Sequence, residues 1–313
     1  MEREPYAFFQ DEFVPISQAK VSIMTHAFNY GTGCFEGIRG NWNGEVEQLY
    51  VFRLRDHYER LLRSARMLRM SLPYSAQKLV DITRELVERN GYREDMYIRP
   101  LAYKGSLDLG PRVHNLQDHL AIFTIPLGNY INVDAGVHVG VSSWRRVDEN
   151  AIPARGKVTG IYVNNALART EAADAGFDEA IMLTSQGTVC EGSGENVFLV
   201  VNGKLVTPAE SESILVGITR ATVLQLARDE LGIEVVERQV ARNELYTAEE
   251  LFMVGTAAHV TPIVAVDHRS VGDGAPGPIT RQLQQVYFDV IRGRAPRYMD
   301  WLTPVYPARV AAR

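Results

Sequence analysis

The spacing of apolar residues divides the first part of the chain into strands and two helices. Aromatic residues on either side of a polar turn predict a hairpin over residues 6–15. Apolar positions recur at helical spacing from Asp56, which suits an N-cap, and again over residues 75–90. Two apolar runs then predict buried strands at residues 96–103 and 116–126. This order of elements indicates a small α+β domain over residues 1–126.

The rest of the chain alternates between strand and helix periodicity after a polar, glycine-bearing segment at residues 127–136, which we expect to be a linker. Helices are predicted at residues 160–175, 217–231 and 277–293, and strands at residues 137–142, 178–184, 197–201 and 233–240 and within the apolar run 249–266. We therefore predict the α+β class, with a larger second domain of mixed strands and helices over residues 137–313.

Composition and charge narrow the class of protein. The 313 residues are 46% hydrophobic and 23% charged, and the net charge of −5 gives no electrostatic case for binding nucleic acid or an anionic membrane surface. No apolar run spans a bilayer, and the N-terminus lacks a signal-peptide pattern, so we expect a cytoplasmic enzyme. Cys34 and Cys190 fit no disulfide framework and the histidines have no metal-binding spacing, so we expect free thiols and no metal.

One lysine is the first candidate for chemistry. Of the 33 basic residues only five are lysines, and Lys157 lies in a Gly-bearing segment that leads into a predicted helix. An amine can act as a nucleophile, whereas a guanidinium stays protonated. A single lysine is more often a solvated loop residue, so Lys157 needs further site residues to support it.

The glycine-rich segment Gly31–Gly37 is a second candidate, because its glycine spacing is similar to a dinucleotide-binding fingerprint. That fingerprint requires a helix to open on the glycines, whereas residues 40–44 have the composition of a turn. We expect these glycines instead to let a strand approach a ligand or another backbone closely.

Three features of the second half suggest an anionic ligand. Glu191 lies in a polar turn between apolar strands, although exposed hairpin carboxylates would look the same. Gly217 and Thr219 open a predicted helix, where free N–H groups favour phosphate, although ordinary capping explains them equally well. Small residues beginning at Gly255 interrupt an apolar run, which a β-bulge would also explain. Pyridoxal 5′-phosphate requires a reactive lysine, a carboxylate and a binding site for its phosphate. Lys157, Glu191 and the two segments at Gly217 and Gly255 could supply these groups.

The chain resembles the branched-chain amino-acid aminotransferases of the class IV, fold type IV pyridoxal-phosphate enzymes over nearly all of its length. The resemblance implies a β-barrel-like second domain and an assembly of at least a dimer. The motifs that carry it, in order, are Phe35-Glu-Gly-Ile-Arg, His57-Tyr-Glu-Arg-Leu, Tyr97-Ile-Arg-Pro, Lys157 with Tyr162, Glu191-Gly-Ser-Gly-Glu-Asn, Gly217-Ile-Thr-Arg and Gly255-Thr-Ala-Ala.

The same resemblance implies a role for each cofactor-binding residue. Lys157 would form the aldimine and act as the acid and base of catalysis, and Glu191 would pair with the pyridine nitrogen. Tyr162 would hydrogen-bond the phenolic oxygen. The phosphate would be held by Arg60, Ile218, Thr219 and Thr256.

The resemblance also implies a substrate site for Leu, Ile or Val, with 2-oxoglutarate as the second substrate. The α-carboxylate would be bound by Tyr97, Arg99, Ala257 and Ala258. The side-chain pocket would be walled by Phe35, Gly37, Tyr162, Tyr130 and Tyr30, the last coming from a partner subunit. Arg39 is our suggested contact for 2-oxoglutarate.

Two departures from the family pattern leave other substrates open. Residues 158–161 are bulkier than in the bacterial enzymes, and Arg112 lies in what should be a gating loop, although it could be a surface charge. If Arg112 covers the pocket, an (R)-selective amine transaminase becomes the alternative. A D-amino-acid aminotransferase and an aminodeoxychorismate lyase fit Tyr97-Ile-Arg-Pro less well. A dinucleotide oxidoreductase and a catalytically silent binding protein remain as hypotheses from other classes.

Overall fold

The computed structural model describes residues 4–128 and 133–307, and the chain divides into two compact units. The first comprises residues 1–128, 156–160 and 289–313, and the second residues 129–155 and 161–288. This differs from the predicted linear division at residues 126 and 137, because the chain enters the first unit three times. Residues 129–132 of the predicted linker, including Tyr130, lie outside the described residues.

The first unit contains an antiparallel sheet of eight strands. The strands are β1 (Tyr6–Phe9), β2 (Glu12–Pro15), β3 (Gly33–Phe35), β4 (Ile38–Asn43), β5 (Gln48–Phe52), β6 (Met96–Lys104), β7 (Asp118–Pro126) and β17 (Leu302–Pro304). Their order is β17-β5-β4-β6-β7-β1-β2, and β3 also pairs with β6. The predicted hairpin and both predicted strands therefore form, and the pairing of β17 with β5 explains why residues 302–304 belong to this unit.

The helices of the first unit are α1 (His26–Tyr30), α2 (Leu54–Met67) and α3 (Ala76–Asn90). Helix α2 begins two residues before the predicted cap Asp56, which lies in its first turn. Ser75 caps α3 as predicted, since its side chain accepts a hydrogen bond from the Lys78 N–H at 3.1 Å. The apolar faces of α2 and α3 and one face of the sheet share a single hydrophobic core.

The turn predicted at residues 40–44 is wrong, because β4 continues to Asn43. Gly40 pairs with Val51 on one side and Met96 on the other. A Cβ at Gly40 would lie 2.8 Å from the Met96 sulfur, so this glycine is required by close packing within the sheet. No helix opens on the Gly31–Gly37 segment, which instead leads through β3 into β4. A dinucleotide-binding fingerprint is therefore excluded.

The second unit contains a mixed sheet of nine strands. They are β8 (Val137–Val141), β9 (Glu179–Leu183), β10 (Val189–Gly192), β11 (Asn196–Val201), β12 (Lys204–Pro208), β13 (Val235–Arg238), β14 (Glu250–Gly255), β15 (His259–Val266) and β16 (Arg269–Ser270). Their order is β10-β9-β8-β15-β14-β11-β12-β13, with β16 on β15. An isolated bridge between Thr188 and Ala241 joins the two ends of this order, which confirms the barrel-like arrangement.

Apolar side chains from these strands fill the core of the second unit. Its helices are α4 (Tyr162–Asp174), α5 (Ile218–Asp229) and α6 (Pro278–Ile291), the last turn of which belongs to the first unit. Short 3-10 helices occur at Ile16–Gln18, Thr159–Ile161, Arg242–Tyr246 and Pro296–Trp301. In the described part of the chain, no helix has the length and apolarity needed to cross a membrane.

The approach of two glycines provides a test of how tightly residues 156–160 pack within the first unit. Gly31 has φ +65°, and a Cβ there would lie 2.9 Å from the Gly160 Cα. Gly91 also ends a helix with φ +71°, but nothing lies within 4 Å of its added Cβ. We expect Gly31→Ala to lower the free energy of unfolding by roughly 1–3 kcal/mol more than Gly91→Ala does. Chemical denaturation measures both, and equal losses would contradict this close approach.

Candidate active site

The main chain of Lys157 is held by the first unit on both sides. Its N–H donates to the Ser64 hydroxyl at 3.2 Å, and its carbonyl accepts from the Phe35 N–H at 3.0 Å. Val158 forms an isolated antiparallel bridge with Cys34. Thr159 adds hydrogen bonds from its hydroxyl to the carbonyls of residues 31 and 33, at 2.8 and 3.1 Å. The segment around Lys157 therefore behaves as an additional short strand beside β3.

The Lys157 side chain is half-buried next to an aromatic ring and is therefore not a solvated loop lysine. Its Nζ atom lies 4.9 Å from the centroid of the Phe35 ring. A cation over an aromatic face is stabilised by the ring quadrupole, so Phe35 restricts where the amine can lie.

A buried ion pair lies directly after Phe35. Glu36 is fully buried, and its carboxylate accepts two hydrogen bonds from the Arg60 guanidinium, at 2.7 Å from Nε and 2.8 Å from NH2. The His57 Nδ1 atom lies 2.7 Å from the same carboxylate. Because an ionised carboxylate only accepts, the proton of the imidazole is on Nδ1. Arg60, which we predicted to hold phosphate, is thus fixed by Glu36.

Burial and charge have opposite effects on Glu36. Burial alone would raise the pKa of Glu36, but the Arg60 guanidinium and the hydrogen bonds from Arg60 and His57 outweigh it, so this pKa lies well below its ordinary value. Burial lowers the pKa of His57, against the opposing effect of Glu36. The trio therefore contains one carboxylate, one guanidinium and a neutral imidazole, and it is close to electrically neutral.

Tyr97, Arg99 and Phe35 form an aromatic and cationic cluster in the first unit. The Arg99 guanidinium lies 4.5 Å from the Phe35 ring centroid and donates to the Tyr97 hydroxyl at 2.9 Å. Its Nε is buried and has no hydrogen-bond partner among the described residues, so it can still donate to a carboxylate. A Cβ at Gly37 would lie 2.2 Å from the Tyr97 hydroxyl, so only glycine leaves room for this tyrosine.

Two other predicted substrate residues and the predicted gating residue Arg112 have partners within the chain. Arg39 is buried, and its guanidinium donates to the carbonyls of Leu127 and Gly128 at 2.7–3.1 Å, so it fixes the end of β7. The Tyr30 hydroxyl accepts from the Gly110 N–H at 2.9 Å. In the same loop Arg112 is partly exposed and pairs with Asp108 at 3.1 Å.

Glu191 is buried in the second unit and is therefore not an exposed hairpin carboxylate. Arg146 NH2 lies 2.9 Å from one carboxylate oxygen. The other oxygen accepts from the Asn196 amide at 3.1 Å and from the Leu215 N–H at 3.0 Å. Arg146 also donates to the Asn165 side chain at 2.8 Å. These contacts hold the carboxylate in one orientation and balance its charge.

Glu36 and Arg146 were not predicted as site residues. Glu36 lies within the motif Phe35-Glu-Gly-Ile-Arg, but only its burial next to Arg60 shows that it is a counter-ion. Arg146 is one of 28 arginines in the chain and lies in a loop, and nothing in its sequence context distinguishes it from the others. Both cysteines are free as expected. Burial raises the pKa of Cys34 to about 12 and that of Cys190 well above its usual value, so both remain thiols.

Two backbone features of the second unit are suited to an anion. Helix α5 begins at Ile218 after the N-cap Gly217, which has no side chain to cap the helix. A Cβ at Gly217 would lie 2.1 Å from the Asn196 side-chain oxygen, so glycine is required there. Ile218 and Thr219 are buried in the first turn, where the helix dipole and N–H groups favour phosphate.

Thr256, Ala257 and Ala258 form the turn of a hairpin in which Gly255 pairs with His259. This corrects the alternative of a β-bulge within one strand. Tyr162 is the first residue of α4. Turn and helix-end positions present N–H groups that no strand partner uses, so the residues present fit the donor set that a phosphorylated pyridine cofactor requires.

The sequence matches the model of the amino-transferase class IV family over residues 33–266, so this chain belongs to the class IV aminotransferases. A probable branched-chain-amino-acid aminotransferase of Aquifex aeolicus is 54% identical over 301 residues, covering 96% of this chain and 97% of the relative. The branched-chain aminotransferase structure from Thermoproteus uzoniensis with norvaline superimposes with a TM-score of 0.93 at 47% identity, covering 96% and 99% of the chains. The structure of the branched-chain amino acid aminotransferase from Thermobaculum terrenum in its PLP-form gives a TM-score of 0.93 at 41% identity, covering 98% and 100%.

Removal of the buried Glu36 charge provides a stability test. We expect Glu36→Gln to lower the free energy of unfolding at pH 7 by about 3–5 kcal/mol, because it removes the buried carboxylate that pairs with the buried Arg60 guanidinium. Glu85→Gln is the control, since the exposed Glu85–Arg89 pair should contribute less than about 1 kcal/mol. Denaturant titrations measure both variants.

The pH dependence of the Glu36 contribution follows from its lowered pKa. The stabilisation is present above the unfolded-state pKa, about 4.3, and is lost as pH falls from there towards the folded-state pKa. The difference between wild type and Glu36→Gln should therefore narrow below about pH 4.3. A difference that widens in acid, or one no larger than that for Glu85→Gln, would contradict the proposed role of Glu36.

Proposed function

We propose that this chain catalyses transamination between L-branched-chain amino acids and 2-oxoglutarate, with pyridoxal 5′-phosphate as its cofactor. The observation that carries the proposal is the anchoring of Lys157, whose main chain is hydrogen-bonded on both sides and whose amine lies beside Phe35. A lysine amine can form a Schiff base with a carbonyl cofactor, and a fixed main chain limits where that amine can lie. The branched-chain aminotransferase relatives support the substrate class.

Each cofactor contact follows from the chemistry of the residue. When bound, the cofactor supplies an electron sink that makes the substrate Cα–H acidic. Lys157 would hold the cofactor, and its amine would take up and return the substrate proton as general base and acid. Glu191, whose charge is balanced by Arg146, would accept a hydrogen bond from the pyridine nitrogen. Tyr162 would donate to the phenolic oxygen. The phosphate would be held by Ile218, Thr219, Thr256 and Arg60.

The substrate carboxylate is bound by Arg99 and Tyr97 and by the N–H groups of Ala257 and Ala258. The buried Nε of Arg99 supports this assignment, since a carboxylate would supply its acceptor. Phe35, Gly37 and Tyr162 would line an apolar side-chain pocket. Tyr130, which the family resemblance implies for the same pocket, lies outside the described residues. A role for Arg39 in binding 2-oxoglutarate is not supported, because its guanidinium is already occupied by backbone carbonyls.

Activity towards (R)-amines is not favoured as the main reaction. Arg112, the basis of that alternative, pairs with Asp108 in the same loop, and its gating role stays a prediction. D-Amino-acid transamination and aminodeoxychorismate cleavage are likewise not favoured by the relatives. A cytoplasmic location also stays a prediction from the sequence.

Labelling and turnover test the assignment together. Borohydride reduction of the pyridoxal-phosphate-loaded protein, followed by peptide mapping, should place the cofactor on Lys157. Lys157→Ala should lose transamination by at least about 10⁴-fold while remaining folded, because it removes both tether and acid/base. Lys204→Ala is the control, since Lys204 is exposed and pairs with Glu234. L-Leucine, L-glutamate, D-alanine and (R)-1-phenylethylamine are assayed side by side.

Three results would contradict all or part of the assignment. Cofactor found on a different residue, or appreciable turnover by Lys157→Ala, excludes the proposed mechanism. If leucine with 2-oxoglutarate is not among the fastest substrate pairs, the class IV chemistry stands but the branched-chain specificity does not.

We also propose that the chain assembles as at least a homodimer. Large apolar side chains are exposed in two segments of the first unit, at Ile23, Phe28 and Leu109, with exposed fractions of 80%, 72% and 70%. An apolar patch of this kind is typical of an interface. Tyr30 lies between these segments, consistent with a residue contributed to a partner's site.

The oligomer prediction is tested by light scattering. The wild-type chain should have at least twice the mass of the 35.0 kDa monomer. Phe28→Glu should shift it towards monomer, because it places a charge in an apolar interface. Val46→Glu, at another exposed apolar residue, is the control. A monomeric wild type, or equal behaviour of the two variants, would exclude this interface.

A further inference from the structure

Ser64 lies at the point where α2 contacts the main chain of Lys157. Its hydroxyl donates to the Arg60 carbonyl one turn earlier, at 3.0 Å, and accepts from the Lys157 N–H at 3.2 Å. The side chain is 1% exposed, so water does not replace either contact. Both capacities of the hydroxyl, as donor and as acceptor, are therefore used within the protein.

Helix formation does not explain a serine at this position. Alanine is a better helix former than serine, and the neighbouring residue Ala65 is buried in the same helix. A buried hydroxyl stabilises the fold only when it is hydrogen-bonded. The hydrogen bond to the Arg60 carbonyl satisfies the Ser64 O–H, but this carbonyl already belongs to the helix and does not need the serine. The Lys157 N–H is the group for which this hydroxyl is needed.

Ser64 lies one helical turn after Arg60, the arginine of the buried ion pair. Arg60 and Ser64 lie one turn apart on the same face of α2, and Glu36 fixes Arg60 through two hydrogen bonds. The residue before Glu36 is Phe35, whose N–H donates to the Lys157 carbonyl at 3.0 Å. The same pair of elements, α2 and the strand segment at Phe35, thus holds the amide of Lys157 on one side and its carbonyl on the other.

We propose that Ser64 is a positioning residue for Lys157: its hydroxyl fixes the lysine main chain so that only the four-carbon side chain moves during turnover. This inference rests on the proposed role of Lys157 as the tether and acid/base. The hydrogen bonds of the Ser64 hydroxyl are to the Arg60 carbonyl and the Lys157 N–H, so it acts on the reaction through Lys157. Its effect comes from restricting where the lysine amine can reach, and a small displacement of a reacting group can reduce a rate strongly.

Hydrogen exchange in the full chain, without cofactor, tests the contact independently of activity. Exchange at the Lys157 amide is measured by mass spectrometry with fragmentation for wild type, Ser64→Ala and Ser64→Thr. We expect Ser64→Ala to exchange roughly 10-fold faster at this amide, the ratio expected for loss of one hydrogen bond. Ser64→Thr keeps the hydroxyl and should restore most of the protection.

Thr83→Val is the matched control for buried hydroxyl loss. Thr83 is fully buried in α3 of the same unit and hydrogen-bonds the Tyr58 hydroxyl. This variant should lower the unfolding temperature but leave exchange at Lys157 unchanged. A purely structural role of Ser64 would instead produce the same pattern in Ser64→Ala as in Thr83→Val.

The enzyme loaded with pyridoxal 5′-phosphate gives the second readout. In Ser64→Ala we expect kcat for leucine to fall roughly 10- to 100-fold, with KM changed less than about 2-fold, because binding groups are intact and the lysine is displaced. The pH dependence of the cofactor absorbance should also shift, since the lysine takes part in that chromophore. Thr83→Val should change neither quantity.

Three outcomes overturn the proposal. One is a wild-type Lys157 amide that exchanges as fast as an unstructured peptide, a result that needs no variant to fold. Another is unchanged exchange in Ser64→Ala, and the third is a loss of kcat shared equally by Thr83→Val. Absence of transamination in the wild type would instead contradict the proposed function, and the exchange data would still decide whether Ser64 holds Lys157.

Discussion

The buried Glu36 carboxylate is the interaction on which the functional part of the first unit depends. It follows β3 directly and binds Arg60 and His57 from α2. A fully buried charge is tolerated only when it is paired and hydrogen-bonded, so this carboxylate fixes α2 against the strand with little freedom. Phe35 on one side of it and Ser64 on α2 then hold Lys157. The ion pair is therefore a positioning element as well as a charge balance.

The Lys157 segment shows how a short piece of chain can belong to a unit that is distant in sequence. Residues on both sides belong to the second unit, yet residues 156–160 belong to the first. A backbone bridge at Val158, two hydrogen bonds from Thr159 and the approach of Gly160 to Gly31 explain this placement. Such a segment has little freedom to move when the lysine side chain does.

The second unit also contains a buried carboxylate, but different groups balance its charge. Glu191 is buried like Glu36, but its partners come from a loop arginine, a strand amide and a backbone N–H. Asn196 also packs against Gly217 at the start of α5, so the carboxylate and the helix N-terminus share a neighbour. One asparagine thus couples the group proposed for the pyridine nitrogen to the group proposed for the phosphate.

The sequence by itself determined the class of elements, most of their positions and the family, because apolar periodicity and seven ordered motifs are local properties of the chain. It also indicated Lys157, Glu191 and Thr219 as candidates. It did not predict that Glu36 and Arg146 are their supporting ions, that Arg39 binds backbone carbonyls, or that residues 40–43 form a strand. Those features depend on burial and on partners distant in the chain. Only the tertiary structure decides which charged side chains are removed from water and which protein groups then bind them.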